Sequence, residues 1–548
     1  MPSVVSLPTE IVQEIGAGIC KLDDKKNLRA TCFRLSVALA PQIFSEISLE
    51  INRNAFDCGL HLLETLAAQN ALCNYVRTLR IDSLSPSFYP DPNFMTRKVY
   101  TSYLLDHARQ ARIEDERGCD RIKAAQLKME KFLYPALASL CNLRVLKWNW
   151  HWTDGSSTLE DVMTAVSSLD LLEEFHFCYI PDPGIYAQDE CQLPLPDLKN
   201  LRVISITVPE DPEISWKCQA PKLTDRPLAR FVKHLITHSP HVSKLCLDNS
   251  RSHIRLEKRL NDLLEELLPL PLHQLTLGGW KISMTDAMRG QFRTLTSLEL
   301  LHCTHFNPDL WPFLQEERVH LKRLTTDNVS DSLLDYLSSY SGLVHLSLTG
   351  PTWYTSYNYH DLADRFFDIV LPLHGETLRS LEILPSFEGR WCFEENNYIA
   401  IGKCSNLTNL SVKVNCVNMP LMDEREGDIV WPGAYHAFRL TTTHNPVHFL
   451  LYSIHASSLS QSLTSLHIDA ARSASMVNSM PDAYFGPGYR IGGRRRIRKS
   501  AETFSSSLVG STFGSSLGDA SMIEVEALFD VIQVFVAGEL CVVGCERK

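Results

Sequence analysis

The sequence predicts an α/β chain: a solenoid of stacked strand–helix units, with a parallel sheet on its concave side and helices outside, preceded by a small module of three helices. Three observations carry this. A short apolar motif recurs from Val76 to Ile468. Copies of it follow one another at intervals of 22 to 30 residues over long stretches. Helix-favouring sequence lies between many of the copies.

The motif is an apolar residue, two variable residues, an apolar residue, one variable residue and a last apolar residue. It opens with Val76, Leu79 and Ile81 and continues with Leu143, Leu146 and Trp148; Leu172, Phe175 and Phe177; Leu201, Ile204 and Ile206; Val242, Leu245 and Leu247. Further copies are Leu272, Leu275 and Leu277; Leu295, Leu298 and Leu300; Leu343, Leu346 and Leu348; Leu378, Leu381 and Ile383; Leu407, Leu410 and Val412; Leu463, Leu466 and Ile468. Leu321, Leu324 and Thr326 form a weaker copy. The last two apolar residues of each copy sit two apart, so on a strand both face inward. The spacing predicts helices between strands over 159–169, 228–238, 258–267 and 332–340. One strand and one helix cannot bury their own apolar faces, whereas a stack of such units can. Periods near 20–29 residues are those of leucine-rich repeats. The intervals from 201 to 242 and from 412 to 463 are longer and require insertions or a degenerate copy.

The first fifty residues follow a different rule. Leu7-Pro8-Thr9-Glu10-Ile11 reads as a helix start, because proline in a first turn loses no partner for its missing N–H. Ile11, Ile15 and Ile19 recur every four residues, on one stripe. Asp23 and Asp24 suit a second helix start. Leu28, Cys32, Leu35 and Leu39 then share one face, and Pro41 is expected to end that helix. Ile43, Phe44, Ile47 and Leu49 form a last apolar cluster. Gly16 and Gly18 in the first helix each cost roughly 1 kcal/mol relative to alanine.

Leu7 to Leu49 resembles an F-box. The matching features are Leu7-Pro8-x-Glu10-Ile11, the isoleucines after it, Leu28-Arg29-Ala30-Thr31-Cys32-Phe33-Arg34 and Leu39-Ala40-Pro41-Gln42-Ile43-Phe44. The tryptophan that many F-boxes carry late in the motif is absent. The chain as a whole is similar to F-box/leucine-rich-repeat proteins. The resemblance implies docking on a Skp-family adaptor, membership of a cullin–RING ubiquitin ligase, and capture of a protein substrate by the repeats. Leu7, Pro8, Ile11, Ile15 and Leu28 are the adaptor-binding candidates. The alternative is a repeat scaffold with no ubiquitin-ligase link.

Bulk properties fit an adaptor in the cytoplasm or nucleus. In 548 residues, 44% are hydrophobic and 21% charged, with a net charge of −11. An acidic chain binds nucleic acid only through a local basic track. Sixteen cysteines contain no C-x-x-C pair and read as reduced thiols. No signal peptide or membrane span is expected; Glu524, Glu526, Asp530 and Glu539 interrupt the apolar segment from Met522 to Cys545. There is no phosphate loop, nucleophile elbow or H-E-x-x-H motif; Gly510 to Gly514 sits in a serine-rich stretch. His302-Cys303-Thr304-His305 is the most metal-like cluster, but it offers no second half. No enzyme, cofactor or metal is therefore expected.

The outward strand positions are the substrate-binding candidates. Trp148-Asn149-Trp150-His151-Trp152 puts Trp148 and Trp150 inward and Lys147, Asn149 and His151 on the concave side. His176, Arg323 and His345 join them. Other outward positions, among them Arg80, Asp82, Glu174, Asp248, Glu299, Asp327 and Glu382, mix both signs, which suits a protein partner better than a nucleic acid. The expected domains are the helical module over 1–50, the solenoid over 51–475 with a helical insertion around 86–140, a disordered basic and Ser/Gly-rich linker over 476–521, and an apolar tail over 522–548. Arg494 to Lys499 is a candidate nuclear localisation signal, and Ser500 beside it a candidate phosphorylation site.

Overall fold

The computed structural model describes residues 7–53, 56–69, 71–86, 120–180, 193–208, 226–248, 260–265, 269–303, 309–349, 359–386, 389–394, 397–414, 450, 453–454, 457, 459–471, 522–527 and 530–535. The chain forms two compact units, Met1–Thr294 with Cys303–Asn307, and Leu295–His302 with Pro308–Lys548.

The first unit opens with helices α1 (Thr9–Gly18), α2 (Leu22–Ala30) and α3 (Phe33–Ile43). Their common core is Val12, Leu35, Ala38, Leu39 and Ile43, with Leu7, Leu28, Cys32 and Phe44 packed against it. The stripe from Leu28 to Leu39 does not run along one helix. The Thr31 hydroxyl donates to the Leu28 carbonyl at 2.7 Å, Cys32 is extended at φ −160°, and the chain restarts at Phe33. Nor does Pro41 end α3; it lies inside it. Gly16 is the contact of α1 with α3: a Cβ there would come within 2.4 Å of a Leu39 methyl and 2.9 Å of the Gln42 side chain. Its helix-propensity cost is offset by an approach only glycine permits.

Among the described residues seven parallel strands follow in chain order: β1 (Glu46–Ile51), β2 (Thr78–Leu84), β3 (Val145–His151), β4 (Glu174–Ile180), β5 (Val203–Thr207), β6 (Lys244–Asp248) and β7 (Gln274–Gly278). β1 lies within the span assigned to the helical module and is the first strand of the sheet; Leu49 pairs with Ile81. Helix α4 (Phe56–Ala67) crosses β1 so closely that a Cβ at Gly59 would meet the Glu50 carbonyl at 2.2 Å. Among the described residues the expected insertion contains one helix, Asp120–Ala138, which buries Ile122, Ala125, Met129 and Leu133, packs on α4 and pairs Lys128 with Glu64 at 2.9 Å. Residues 87–119 of that insertion lie outside the described residues.

The second unit repeats the plan with β8 (Ser297–Leu301), β9 (Arg323–Thr326), β10 (His345–Thr349), β11 (Ser380–Leu384), β12 (Asn409–Val414) and β13 (Ser465–Ala470), all parallel. β14 (Met522–Ala527) adds in parallel to β13, and β15 (Asp530–Phe535) returns antiparallel to β14, so the apolar tail contains two strands. The linker over 476–521, with Arg494 to Lys499, lies outside the described residues.

Every residue of the recurring motif is at most 3% exposed, Thr326 included. Register explains why. In the first unit Leu79, Leu146, Phe175, Ile204, Leu245 and Leu275 face one another strand to strand, and so do Ile81, Trp148, Phe177, Ile206, Leu247 and Leu277. Leu298 to Leu466 and Leu300 to Ile468 form the equivalent rows in the second. A one-residue slip would turn each row to the opposite face.

The leading apolar residue is buried at the strand entrance, beside a repeated backbone clamp. One carbonyl accepts two successive amides of the next strand: Arg77 from Arg144 and Val145, Arg144 from Glu173 and Glu174, Val344 from Arg379 and Ser380, Arg379 from Thr408 and Asn409. Asn142, Asn200 and Asn406, each just before a leading leucine, donate to the carbonyls of Asn74, Asp170 and Glu376 one unit earlier, at 3.1, 2.7 and 2.6 Å.

Helices Ser156–Ser167, Arg226–His238 and Asp331–Ser338 occupy the expected intervals. The helix expected over 258–267 is described only as Asn261–Leu264.

Candidate functional site

Three helices of modest length have more apolar side chains than one small core can cover. In α1 two stripes compete. Val12 and Gly16 turn inward, while Ile11 and Ile15 remain 41% and 45% exposed. In α3 Leu35 and Leu39 turn inward, leaving Phe33 at 83% and Val37 at 50% exposure. Leu22 of α2 is 49% exposed. Each of Ile11/Ile15 and Phe33/Val37 is an i, i+4 pair, so each pair forms a continuous apolar strip on its helix.

The sequence candidates divide across this arrangement. Ile11, Ile15 and Pro8 are exposed. Leu7 and Leu28 are half-buried against the bundle core, and the Arg34 guanidinium holds the Leu7 carbonyl at 2.7 Å. Phe33, Val37 and Leu22 were not singled out by periodicity. The signal for two of them was a second four-residue spacing on α3, out of phase with the stripe that is buried.

The outward strand positions of the first unit carry a mixed-charge network. Lys147 is exposed, and Asn149, His151 and His176 are half-buried. Arg80, Lys147 and His176 are consecutive partners across β2, β3 and β4. Asp82 is the hub beside them, accepting from Ser48 Oγ at 3.1 Å, Arg80 Nε at 2.8 Å and Asn149 Nδ2 at 2.9 Å. His176 Nε2 lies 3.2 Å from Glu174. The inward residues match the sequence expectation: Trp148 packs edge-on to Phe177 at 5.4 Å, and Trp150 stacks on Tyr179 at 5.1 Å.

At the end of β3 the chain turns through Trp152–Asp154. The Asp154 carboxylate accepts from the Leu84 and His151 amides, both at 3.0 Å, and from Ser83 Oγ at 3.4 Å. It thereby ties the end of β2 to the turn after β3. Burial pushes this carboxyl up to about 6 despite those donors, and burial pulls the neighbouring His151 down to about 4. His151 Nδ1 is occupied by Thr153, 2.9 Å from its hydroxyl, so the imidazole sits in a turn-capping role as well as beside the outward face.

In the second unit Arg323 and His345 are direct partners on β9 and β10. Arg323 is exposed and His345 half-buried. Asp327 does not face outward with them. It is buried just beyond β9 and accepts the His302 amide at 2.6 Å, with His302 held at φ +52°. Of the metal-like cluster, Cys303 donates its thiol to the Leu277 carbonyl at 3.5 Å; Thr304 and His305 lie outside the described residues. Among the described residues no group of three or more His, Cys, Asp or Glu is placed to hold a metal ion. No described helix is long and apolar enough to cross a membrane. Compared with models of known protein families and with curated proteins, the chain matches none.

Proposed function

We propose that the chain is the substrate-recognition subunit of a Skp–cullin–F-box ubiquitin ligase, its helical module an F-box and its strand–helix units leucine-rich repeats. The module would hold a Skp-family adaptor, and the outward faces of the strands would hold a protein substrate. Neither part performs covalent chemistry; the mechanism is proximity.

The observation that carries this reading is the set of large apolar side chains that α1–α3 leave exposed. A module that buries Val12, Leu35 and Leu39 while leaving Ile11, Ile15, Leu22, Phe33 and Val37 in water has a surface suited to a second protein. Ile11 and Phe33 also fall within the sequence features that resemble an F-box. The mixed-charge strand face of the first unit, where Arg80, Asn149 and His176 sit beside Asp82 and Glu174, supports capture of a protein over a polyanion, with Lys147 and His151 there and Arg323 and His345 in the second unit as further contact candidates.

Co-purification with a Skp-family adaptor tests the proposal, comparing the full chain with an Ile11→Asp/Ile15→Asp double variant. Binding by the former and loss by the latter are expected. A folded full chain that binds no such adaptor would reject the ligase reading and leave an interaction scaffold. Truncation at residue 50 is the poorer control, because it removes β1 and the Ser45 carbonyl that receives the Arg77 and Thr78 amides.

A further inference from the structure

We infer that the imidazole of His374 is an acid-operated latch: while neutral it holds the entrances of β10 and β11 together, and when it takes up a proton it lets them part. The inference concerns the sheet itself and stands whether or not the outward strand faces capture a protein. His374 ends the short helix Leu371–His374 and is 1% exposed. Its Nδ1 accepts the Leu343 amide at 3.3 Å, and its Nε2 lies 3.0 Å from the Leu337 carbonyl, near the end of the helix Asp331–Ser338. Its own carbonyl accepts the Thr377 and Leu378 amides, both at 2.9 Å. The Thr377 hydroxyl donates to the Leu343 carbonyl at 2.8 Å. Leu343 and Leu378 lead successive copies of the motif, so one residue fastens both.

This connection differs from others along the sheet. The leading amides of Leu143, Leu172, Val242 and Leu407 find a carbonyl three residues back, on Leu140, Leu169, Ser239 and Cys404. Leu321 and Leu343 instead donate to side chains of the following unit, the Tyr336 hydroxyl and the His374 imidazole. A phenol keeps its proton through the neutral and acid range, whereas an imidazole changes charge within it.

The partners fix the protonation state. An amide only donates and a carbonyl only accepts, so Nδ1 must offer a lone pair while Nε2 carries the proton. A second proton, on Nδ1, would set two donors against each other and bury a charge. Burial accordingly holds this imidazole below the usual histidine range, with the Leu337 carbonyl opposing the shift. The charged groups on the packed elements are directed elsewhere. Asp331 and Asp335 pair with Arg365, while Asp368 of the π-helical turn Phe366–Val370 and Lys403 beyond the helix Tyr398–Gly402 are exposed. Tyr340 stands edge-on at 5.3 Å, with Tyr336 and His320 against its ring. Burial pushes both phenols up, away from the acid range. A histidine lowered by folding stabilises fully above about pH 6.5 and progressively less as pH falls below it.

Amide exchange of the full chain tests the latch, read by mass spectrometry on peptides containing Leu343 and Leu378 and corrected for intrinsic rates. Between about pH 7.5 and about pH 5.5, wild-type protection is expected to fall up to about tenfold more than that of His374→Gln, whose side-chain amide has an acceptor and a donor but takes up no proton. His345 on β10, also held low, adds a loss of the same sign, so the difference between the two chains reads the latch. A His320→Gln/His345→Gln chain keeps His374 and should still lose protection in acid. If His374→Gln does not fold, this chain decides alone. A difference below about twofold between wild type and His374→Gln, or an acid loss that vanishes in His320→Gln/His345→Gln, would overturn the latch.

Discussion

Phe33→Ala distinguishes a docking residue from a packing residue. Phe33 is 83% exposed, so folding withdraws less than a fifth of it from water, and alanine at the start of α3 preserves the helix. Its removal should cost the fold less than about 0.5 kcal/mol. Fully burying such a side chain is worth about 1.5–3 kcal/mol, so covering its exposed share beneath a partner is worth about 1.2–2.5 kcal/mol. That corresponds to roughly an 8- to 70-fold weaker Kd for the adaptor. Leu39→Ala is the counterpart. Leu39 is fully buried against Gly16 of α1, and its truncation should cost about 2.5–5 kcal/mol of stability. Isothermal titration calorimetry with a purified Skp-family adaptor, alongside thermal melting of each variant, gives both numbers. Wild-type adaptor affinity in Phe33→Ala would refute the assignment of this face. A melting temperature as low as that of Leu39→Ala would refute the geometry behind it.

Three further outcomes follow from the interior. Tyr336→Phe strips a buried hydroxyl that donates to the Val319 carbonyl at 2.7 Å and accepts the Leu321 amide at 3.2 Å; a loss of about 1–3 kcal/mol is expected by chemical denaturation, and an unchanged midpoint would contradict it. Asp154, raised to about 6, binds more protons folded than unfolded, so its contribution falls as pH rises from about 4 to 6, while His151, lowered to about 4, contributes a rise between about 4 and 6.5. Asp154→Asn should leave the His151 rise alone, seen as amide-exchange protection of β2 and β3 that increases with pH over that window, against a flatter wild-type profile. In the same variant an amide can replace only one carboxylate oxygen as acceptor, so the Leu84 or the His151 amide should exchange faster even at neutral pH.

The strand–helix plan was legible because it rests on local chemistry. Leu143-x-x-Leu146-x-Trp148 specifies a buried entrance and two inward residues whatever lies around it, and all the copies occupy those places. β1 is hidden in the sequence because Phe44, Ile47 and Leu49, which have the motif spacing and whose last two members pair with Leu79 and Ile81, directly follow α3 and read equally as a last apolar cluster of the helical module. In the helical module periodicity joins α2 and α3 into one helix and selects the outer stripe of α1, while Leu35 and Leu39 of α3 are inward as expected. Ile11 and Val12 are equally apolar neighbours, and the choice between them is made by Gly16, which admits Leu39 on one side only. Asp327 was misplaced for a related reason: alternation puts it outward, but β9 ends at Thr326, and the carboxylate turns in to hold the His302 amide.

The carbonyl clamps make each strand entrance common to two units. Arg144 is the example: its amide closes on the Arg77 carbonyl behind it, and its own carbonyl receives Glu173 and Glu174 ahead. An inserted residue there would open both joints at once and slip the inward rows on either side. Length changes in a wall of this kind are therefore absorbed away from the entrances, and the entrance edge is the part that related chains should share.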